Sequence, residues 1–295
     1  MGLPSIMSFD AVVRACHAKV NLALAVGPPI AGNGPNAGLH PICTWMASID
    51  LADHLRIERA DNHTRYHIRW HTGQSVDWDL ETDLCVKAHR ALERHLARTL
   101  PVEIELEKRI PAGGGLGGGS SDAAGTLLAL NALFELGLDQ HELRAIASGL
   151  GSDIAYFIDD ASPPAPAIVS GLGEHIERLD RRSIPLVLIC PPFECSTAAV
   201  YRACDRLGPK PLDETQVRNI ALRGSLDELF NDLSPAADVV EPRLVELRRC
   251  IASTAKVSAH LSGSGSTLFV PGGRDLAEVL RRALPDCRVF ETTTL

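Results

Sequence analysis

A run of glycines between a predicted strand and a predicted helix is the part of the sequence best suited to bind phosphate. Six of the seven residues from Gly113 to Gly119 are glycine. Glycines let successive backbone N–H groups approach an anion without obstruction by Cβ atoms, and the start of the next helix adds N–H donors. The hydroxyls of Ser120 and Ser121 could cap that helix or bind phosphate or phosphate-bound Mg²⁺. The run predicts a di- or triphosphate site rather than a flexible linker.

Two common nucleotide-binding motifs do not account for this loop. A Walker A loop requires a lysine after its glycines, whereas Gly119 is followed by Ser120. Gly113, Gly115 and Gly118 have the formal spacing of a dinucleotide-binding fingerprint. The acidic residue that such a fingerprint places about 20 positions later is represented by Glu135, which lies inside a predicted helix. The loop is therefore of another type.

Two ionisable residues elsewhere could take part in phosphoryl transfer. Residues 18–26 alternate in polarity, so Lys19 and Asn21 share the polar face of a predicted strand. A lysine there can neutralise charge on a transferring phosphoryl group, although a solvated surface lysine fits the same pattern. Asp153 follows the glycine that ends a predicted helix, and it could accept a proton from an acceptor hydroxyl or cap the next helix. The residue pattern alone leaves these alternatives open.

The segment PAGGGLGGGSSDAA at 111–124 resembles the phosphate-binding motif of the GHMP kinase superfamily. Further segments resemble family motifs in the expected order: AKVNLAL at 18–24, LGSDIAYF at 150–157, NDL at 231–233 and LSGSGSTLF at 261–269. This resemblance implies an enzyme that uses ATP and Mg²⁺ to phosphorylate a small-molecule alcohol. The nucleotide-binding residues that it implies are Pro111, Ala112, Gly113, Gly114, Gly115, Leu116, Gly117, Gly118, Gly119, Ser120 and Ser121.

The same resemblance implies catalytic roles. In the resembling kinases the residues that match Lys19 and Asp153 are the catalytic pair, and Asn21 lies beside the matching lysine on the substrate side. Asp122 lies in the first turn of the predicted helix, where its negative charge interacts favourably with the helix dipole. We expect its side chain to point away from the phosphates, towards solvent or the neighbouring loop.

The doubled glycine run is most similar to the branch of the superfamily whose substrate carries a cytidine diphosphate group, in non-mevalonate isoprenoid synthesis. There a Gly-aromatic-His segment holds the cytosine. Here the segment is Gly38-Leu39-His40, so the histidine is present and a leucine replaces the aromatic residue. Tyr201 matches a second aromatic residue that stacks on cytosine. Two alternatives remain: a GHMP kinase that acts on another alcohol, and a nucleotide-binding paralogue without catalysis.

Composition and charge narrow the class of protein. The 295 residues are 45% hydrophobic and 22% charged, with a net charge of −8, which is ordinary for a globular protein but disfavours a nucleic-acid partner. No apolar run reaches the roughly 18 residues of a membrane span, and the first residues lack the pattern of a secretion signal. The eight cysteines include no CxxC pair or zinc-type spacing, which predicts reduced thiols in a cytoplasmic protein. The sequence does not indicate an oligomeric state.

Strands and helices alternate without a strict βαβ order, and this favours an α+β fold. The predicted strands are 18–26, 102–107, 186–189 and 267–270, and the predicted helices are 120–136, 139–150, 241–253 and 275–284. Residues 26–40 are predicted to form a surface loop. The proline-rich segment 161–167 is the predicted boundary between an N-terminal ATP-binding domain, 1–160, and a substrate-side domain, 161–295. The resemblance implies an S5 domain 2-like first domain and a ferredoxin-like second domain.

Overall fold

The structure, a computed structural model, describes residues 11–295, and these residues form an α+β fold with two sheets. Residues 1–10, which hold most of the N-terminal segment considered above, lie outside the described residues. The strands are β1 Ala11–Val26, β2 Ile42–Arg59, β3 Arg65–Trp70, β4 Val102–Lys108, β5 Ala167–Gly171, β6 His175–Arg178, β7 Pro185–Cys190, β8 His260–Leu261, β9 Leu268–Pro271 and β10 Arg288–Thr293. The helices are α1 Leu84–Leu96, α2 Gly118–Leu133, α3 Gln140–Ala147, α4 Ile154–Phe157, α5 Thr197–Leu207, α6 Glu214–Arg223, α7 Ser234–Val240, α8 Arg243–Ala255 and α9 Arg274–Ala283.

The chain folds into two compact units, and neither is continuous in sequence. The first unit contains residues 11–16, Ala52–Arg109 and Gly119–Ile158. The second unit contains His17–Leu51, Ile110–Gly118 and Asp159–Leu295. These compact units do not coincide with the predicted domains 1–160 and 161–295. The predicted assignment of ATP binding to the first domain and of the substrate to the second stays a prediction.

The second unit contains a four-stranded antiparallel sheet with the order β10-β7-β9-β8. Along the chain, the elements of this part are β7, helices α5 to α8, strands β8 and β9, helix α9 and β10. This is a ferredoxin-like order of strands and helices, as the family resemblance implies. Leu186 and Leu188 of β7 pack in one apolar cluster, whereas Val187 and Ile189 pack in another. A strand that is buried on both faces needs apolar residues at every position, which explains the uninterrupted apolar run of β7.

The strand that carries Lys19 is longer and more buried than its sequence predicts. It begins at Ala11 rather than at residue 18, and both of its faces are covered along residues 18–26. Lys19 and Asn21 are only 3% and 4% exposed. The interpretation of Lys19 as a solvated surface residue is therefore wrong.

The first unit combines a mixed sheet with four helices. The second half of β2 pairs antiparallel with β4, and β3 pairs parallel with β4. Helix α2 is apolar around most of its circumference and therefore lies buried. Gly125 leaves room for a neighbour, since a Cβ there would lie 2.5 Å from Cys16 Sγ.

The helix predicted over 139–150 forms as α3, and it begins with a capping box. The Glu142 amide donates to Asp139 Oδ1 at 2.8 Å, and the Asp139 amide donates to Glu142 Oε2 at 2.9 Å. Together these bonds satisfy N–H groups that have no partner inside the helix. The helix ends at Ala147, three residues before the predicted end.

Candidate active site

The glycine loop is anchored to the second unit through its carbonyl groups. Three successive carbonyls accept hydrogen bonds: Gly114 from the Thr267 amide at 3.2 Å, Gly115 from the Ser262 hydroxyl at 3.1 Å and Leu116 from the Lys19 amide at 2.9 Å. In a planar trans peptide the C=O and the following N–H point in opposite directions. The N–H groups of Gly115, Leu116 and Gly117 are therefore directed away from those partners. They form a set of donors suited to an anion.

The same contacts explain why the loop consists of glycine. Gly113, Gly115 and Gly117 have φ angles of 64°, 75° and 71°, values that residues with a Cβ adopt only at a steric cost. A Cβ on Gly114 would lie 2.6 Å from Thr267 Oγ1, and a Cβ on Gly115 would overlap the carbonyl of Ser262. The motif 261–269 and the loop therefore fit together only because the loop lacks side chains.

The end of the glycine run opens α2 in the first unit. The helix begins at Gly118, so Ser120 and Ser121 lie in its first turn and neither is the N-cap. The capping alternative is therefore wrong for both serines. Ser121 is buried and Ser120 is half-buried. The first turn of a helix has N–H groups without intrahelical partners, and these favour an anion.

The expected orientation of Asp122 is also wrong. Its side chain is 1% exposed and pairs with Lys108 Nζ instead of pointing to solvent. Because α2 begins at Gly118, Asp122 also lies beyond the first turn of the helix, where the dipole effect is strongest, and the buried cation determines where the carboxyl lies. The sequence gives no sign of this pairing, since lysine and aspartate are both ordinary surface residues.

A short chain of hydrogen bonds orients Lys19 and Asn21 in the second unit. Lys19 Nζ donates to Asn21 Oδ1 at 2.5 Å, and Asn21 Nδ2 donates to Thr44 Oγ1 at 2.9 Å. The Thr44 hydroxyl in turn donates to the carbonyl of Ala23 at 2.8 Å, so it can only accept from Asn21. This fixes the amide oxygen of Asn21 towards the lysine. Sequence reasoning missed Thr44, which carries no motif signal.

The glycine-rich motif 261–269 closes on Lys19. A Cβ on Gly263 would lie 3.4 Å from Lys19 Nζ, so the absence of a side chain keeps the surroundings of the amine open. Asn231 holds this turn by donating to the carbonyls of Leu261 at 2.9 Å and of Gly263 at 2.8 Å. The segments 18–24, 231–233 and 261–269, which the sequence identifies separately, therefore contact one another: Asn231 bridges to Leu24 and bonds the turn that lies beside Lys19.

His40 and Tyr201 also come together in the second unit. Their ring centroids are 5.0 Å apart at an interplanar angle of 45°. His40 Nδ1 lies 2.9 Å from the carbonyl of Gly27, which can only accept, so Nδ1 carries a hydrogen. His40 Nε2 lies 3.3 Å from Asp205 Oδ1. Most of the predicted surface loop 26–40 is exposed, but Val26 and Gly27 at its start and His40 at its end are buried.

Sequence reasoning missed Asp205. It lies four residues after Tyr201 on α5, a spacing that places both side chains on one face of a helix. That spacing is the signal that could have identified it once Tyr201 was chosen. Leu39, in the position of an aromatic residue in the resembling kinases, is 48% exposed.

Asp153 lies in the first unit, directly before α4. It is half-buried, and its side chain makes no capping hydrogen bond to that helix. Asp153 therefore occupies the N-cap position that the alternative interpretation predicts, but its side chain does not cap the helix. Asp153 shares the first unit with Gly119, Ser120 and Ser121, whereas the other predicted site residues belong to the second unit.

Within residues 11–295, no group of three or more histidine, cysteine, aspartate and glutamate side chains is arranged to hold a metal ion. None of the helices in this part of the chain combines the length and apolar character needed to cross a membrane.

Comparisons with known proteins agree with this geometry. The family model of the GHMP kinases N terminal domain matches residues 83–161. The 4-diphosphocytidyl-2-C-methyl-D-erythritol kinase of Brucella melitensis is 34% identical over 261 residues, covering 88% of this chain and 85% of that protein. The kinase of the same name from Chlorobium phaeobacteroides is 36% identical over 284 residues, covering 92% of this chain and 91% of its own.

A solved structure supports the same conclusion. A crystal structure of 4-(cytidine 5'-diphospho)-2C-methyl-D-erythritol kinase superposes with a TM-score of 0.76 at 31% identity, covering 96% of this chain and 99% of that one. The predicted α+β class and GHMP kinase architecture are thereby confirmed. The chain is an ATP-dependent small-molecule kinase that belongs to the GHMP kinases, within the family of the 4-diphosphocytidyl-2-C-methyl-D-erythritol kinases.

Proposed function

We propose that this protein transfers the γ-phosphoryl group of ATP to the 2-hydroxyl of 4-diphosphocytidyl-2-C-methyl-D-erythritol, a step of non-mevalonate isoprenoid precursor synthesis. The observation that carries the proposal is the place of Lys19. Its amide holds the Leu116 carbonyl of the glycine loop at 2.9 Å, and its side chain lies beside Asn21. The backbone of Lys19 thus bonds the predicted phosphate loop, and its buried side-chain amine lies on the same residue. The relatives of this chain carry the name of this kinase.

In this proposal residues 111–121 bind the phosphates of ATP. The N–H groups of Gly115, Leu116 and Gly117 face away from the anchored carbonyls and would donate to phosphate oxygens. The first turn of α2 would add its own N–H groups. All of the proposed ATP-binding residues lie within residues 1–160, whereas the proposed acceptor-binding residues come from both 1–160 and 161–295. Neither a nucleic acid nor a membrane is needed.

The proposed site offers Mg²⁺ only serine hydroxyls as protein ligands, so ATP would supply most of the ligands of the ion. Hydroxyl oxygens suit this ion, and the hydroxyls of Ser120 and Ser121 lie in the first turn of α2. One of them would be its protein ligand. When bound, Mg²⁺ neutralises negative charge on the phosphate oxygens.

Lys19 and Asp153 act on the reacting groups in this proposal. The amine of Lys19 stabilises charge on the transferring phosphoryl group, and Asn21 holds the amine in place and contacts the acceptor. Asp153 orients the acceptor hydroxyl and accepts its proton as the phosphoryl group departs from ADP. A loose transition state requires little basicity, so orientation is the larger part of this role.

His40 and Tyr201 bind the cytosine of the acceptor. The Tyr201 ring offers a surface on which a base can stack, and such stacking contributes roughly 1–3 kcal/mol per base at single-stranded nucleic-acid sites. His40 is held against Tyr201 by Gly27 and Asp205, so the two rings keep one mutual arrangement.

Leu39 favours a second candidate function, phosphorylation of another small alcohol. An exposed leucine supplies apolar contact but no ring for stacking on the opposite face of a base. A GHMP kinase with a different acceptor would use the same glycine loop, Lys19 and Asp153. The two candidates differ only at residues 38–40 and 201.

The experiment that separates them measures ADP release by the full chain with Mg-ATP and a panel of acceptors. The panel contains 4-diphosphocytidyl-2-C-methyl-D-erythritol, the same alcohol without the cytidine, mevalonate, homoserine and galactose. We expect turnover with the cytidine compound to exceed all others by at least tenfold. Turnover confined to another alcohol would support the second candidate, and ATP binding without turnover on any acceptor would contradict both.

Two substitutions test the catalytic assignment. Lys19→Met and Asp153→Asn are each expected to lower kcat/KM by about 100-fold or more, while the Kd for ATP changes little for Asp153→Asn. The double variant should be scarcely slower than the worse single variant, because residues that act on one step are not additive. Lys210→Met and Asp160→Asn, at exposed positions, are matched controls. Multiplicative losses in the double variant would show that the two residues act independently.

A further inference from the structure

Three buried ionisable side chains lie where the glycine loop begins and ends, apart from the residues assigned to the reaction. Lys108 ends β4 just before the loop, Asp122 lies in the second turn of α2 just after it, and Asp53 comes from β2. Lys108 Nζ contacts Asp122 Oδ2 and lies 2.5 Å from Asp53 Oδ2. Asp53 Oδ1 also accepts the amide of Arg109 at 2.5 Å. All of these groups belong to the first unit, and we call the three side chains the Lys108 cluster.

The Lys108 cluster is sealed from solvent and contains one more acid than base. The side chain of Lys108 is 5% exposed, that of Asp53 is 0% exposed and that of Asp122 is 1% exposed. Burial raises the pKa of Asp122 well above its usual range, against the opposite influence of Lys108. Burial alone would lower the pKa of Lys108, but the two carboxyl groups outweigh it and the pKa is raised.

The two acids differ in their hydrogen bonds. Asp53 accepts from both Lys108 and the Arg109 amide. Asp122 Oδ2 accepts from Lys108, whereas Asp122 Oδ1 is buried without a hydrogen-bond partner among the described residues. Asp53 therefore connects the lysine to the backbone at Arg109, whereas the raised pKa of Asp122 favours its neutral form.

We propose that Lys108, Asp53 and Asp122 are positioning residues that hold the two ends of the glycine loop together and so set its affinity for nucleotide. This inference rests on the proposed role of residues 111–121 in binding ATP. Lys108 and Asp122 are 14 residues apart in sequence, and six of the thirteen residues between them are glycine. Glycine loses more conformational freedom on ordering than any other residue, so an unclamped loop would lose that freedom on each binding event.

Stability alone does not explain such a cluster. Buried ion pairs seldom stabilise a fold more than well-packed apolar residues of similar size would. Beyond filling space, this cluster connects two positions of the backbone, the Arg109 amide and α2 at Asp122. The first position lies just before the loop, and the second lies one helical turn after it.

A pair of isosteric substitutions tests the proposal. Asp53→Asn removes the carboxyl group that accepts from both Lys108 and the Arg109 amide, and we expect it to raise the Kd for ATP at least tenfold, measured by titration calorimetry on the full chain. Asp122→Asn replaces an acid whose neutral form is favoured by burial with a neutral amide of equal size, and we expect a rise of less than threefold. In steady-state kinetics the KM for ATP should follow the same order, with little change in the KM for the acceptor. Glu103→Gln, at an exposed ion pair on β4, is the control that should match the wild type.

A third variant separates the clamp from folding. Lys108→Met/Asp53→Asn/Asp122→Asn has no buried charge, so it should fold, yet its Kd for ATP should stay at least tenfold raised. Hydrogen exchange of the 109–121 backbone, measured without nucleotide, should be faster than in the wild type. Wild-type ATP affinity and loop exchange in this variant would overturn the clamp, as would equal effects of Asp53→Asn and Asp122→Asn. A wild-type chain that fails to bind ATP would instead overturn the proposed function, while the exchange measurement would still decide whether the loop is clamped.

Discussion

Two clusters in this chain pair a basic side chain with carboxyl groups, and they differ in their access to solvent. In the Lys108 cluster of the first unit, the side chains of Asp53 and Asp122 are 0% and 1% exposed. In the cluster of His40, Tyr201 and Asp205 in the second unit, the histidine is buried but the Asp205 side chain is 42% exposed. The first cluster is closed to any ligand, and the second presents a ring and a carboxylate at the surface.

This difference separates groups that shape the backbone from groups that can contact a ligand. A sealed cluster can act only through the chain segments that carry it, here both ends of the glycine loop. An open cluster can exchange water for a ligand, and its buried member orients the exposed ones. Substitutions in the two clusters should therefore change different quantities.

The largest effect is expected from Lys108→Met. Removing the cation leaves Asp53 buried without its ionic partner, and breaking a buried pair in this way costs about 3–5 kcal/mol. The free energy of unfolding, measured by urea denaturation, should fall by that amount. Arg65→Met is the matched control, because Arg65 is paired with Glu103 at an exposed position on the same sheet.

The comparison between clusters would fail if Lys108→Met and Arg65→Met destabilised the protein equally. Partial recovery is expected when Asp53→Asn is added to Lys108→Met, since the second change removes the unpaired charge. No recovery in that double variant would mean that packing of the lysine stem, rather than its charge, is what the fold requires.

A smaller effect, and on a different quantity, is expected from Tyr201→Ala. Loss of the stacking surface should weaken the binding free energy of the cytidine-bearing acceptor by ~1–3 kcal/mol. Its KM should therefore rise roughly 5- to 150-fold. The KM for ATP should not change. Tyr201→Phe keeps the ring and should retain most of the affinity. Equal losses in the two variants would assign the role of Tyr201 to its hydroxyl instead of its ring.

The sequence was sufficient for features whose causes are local. The glycine run, the capping box of Asp139 and Glu142 and the apolar run of β7 each follow from steric freedom, hydrogen-bond reach or periodicity within a few residues. Lys19 was found through its position in a motif. Its burial was not predicted, because alternation along one strand does not show whether a second layer covers the polar face.

Long-range pairings lay beyond the sequence. Asp53 and Lys108 are 55 residues apart, and nothing in either neighbourhood marks them as partners. The inward orientation of Asp122 depends on that lysine, so it could not be predicted before the sheet was known. His40 was assigned to an exposed loop, and its burial depends on Gly27 and Asp205, which the fold brings together from separate segments.

The smallest expected effect is a gain at the open cluster. Leu39 is 48% exposed, so Leu39→Tyr can be accommodated without repacking the interior. If the acceptor carries a cytosine that stacks on Tyr201, a second ring at residue 39 should strengthen its binding free energy by roughly 0.5–1.5 kcal/mol. The KM for that acceptor should then fall about 2- to 12-fold. The KM for ATP should stay constant. Leu222→Tyr, on α6 and 62% exposed, controls for the general effect of an added surface ring. An unchanged or raised KM in Leu39→Tyr would mean that the base does not lie against residue 39, and would favour an acceptor without cytosine.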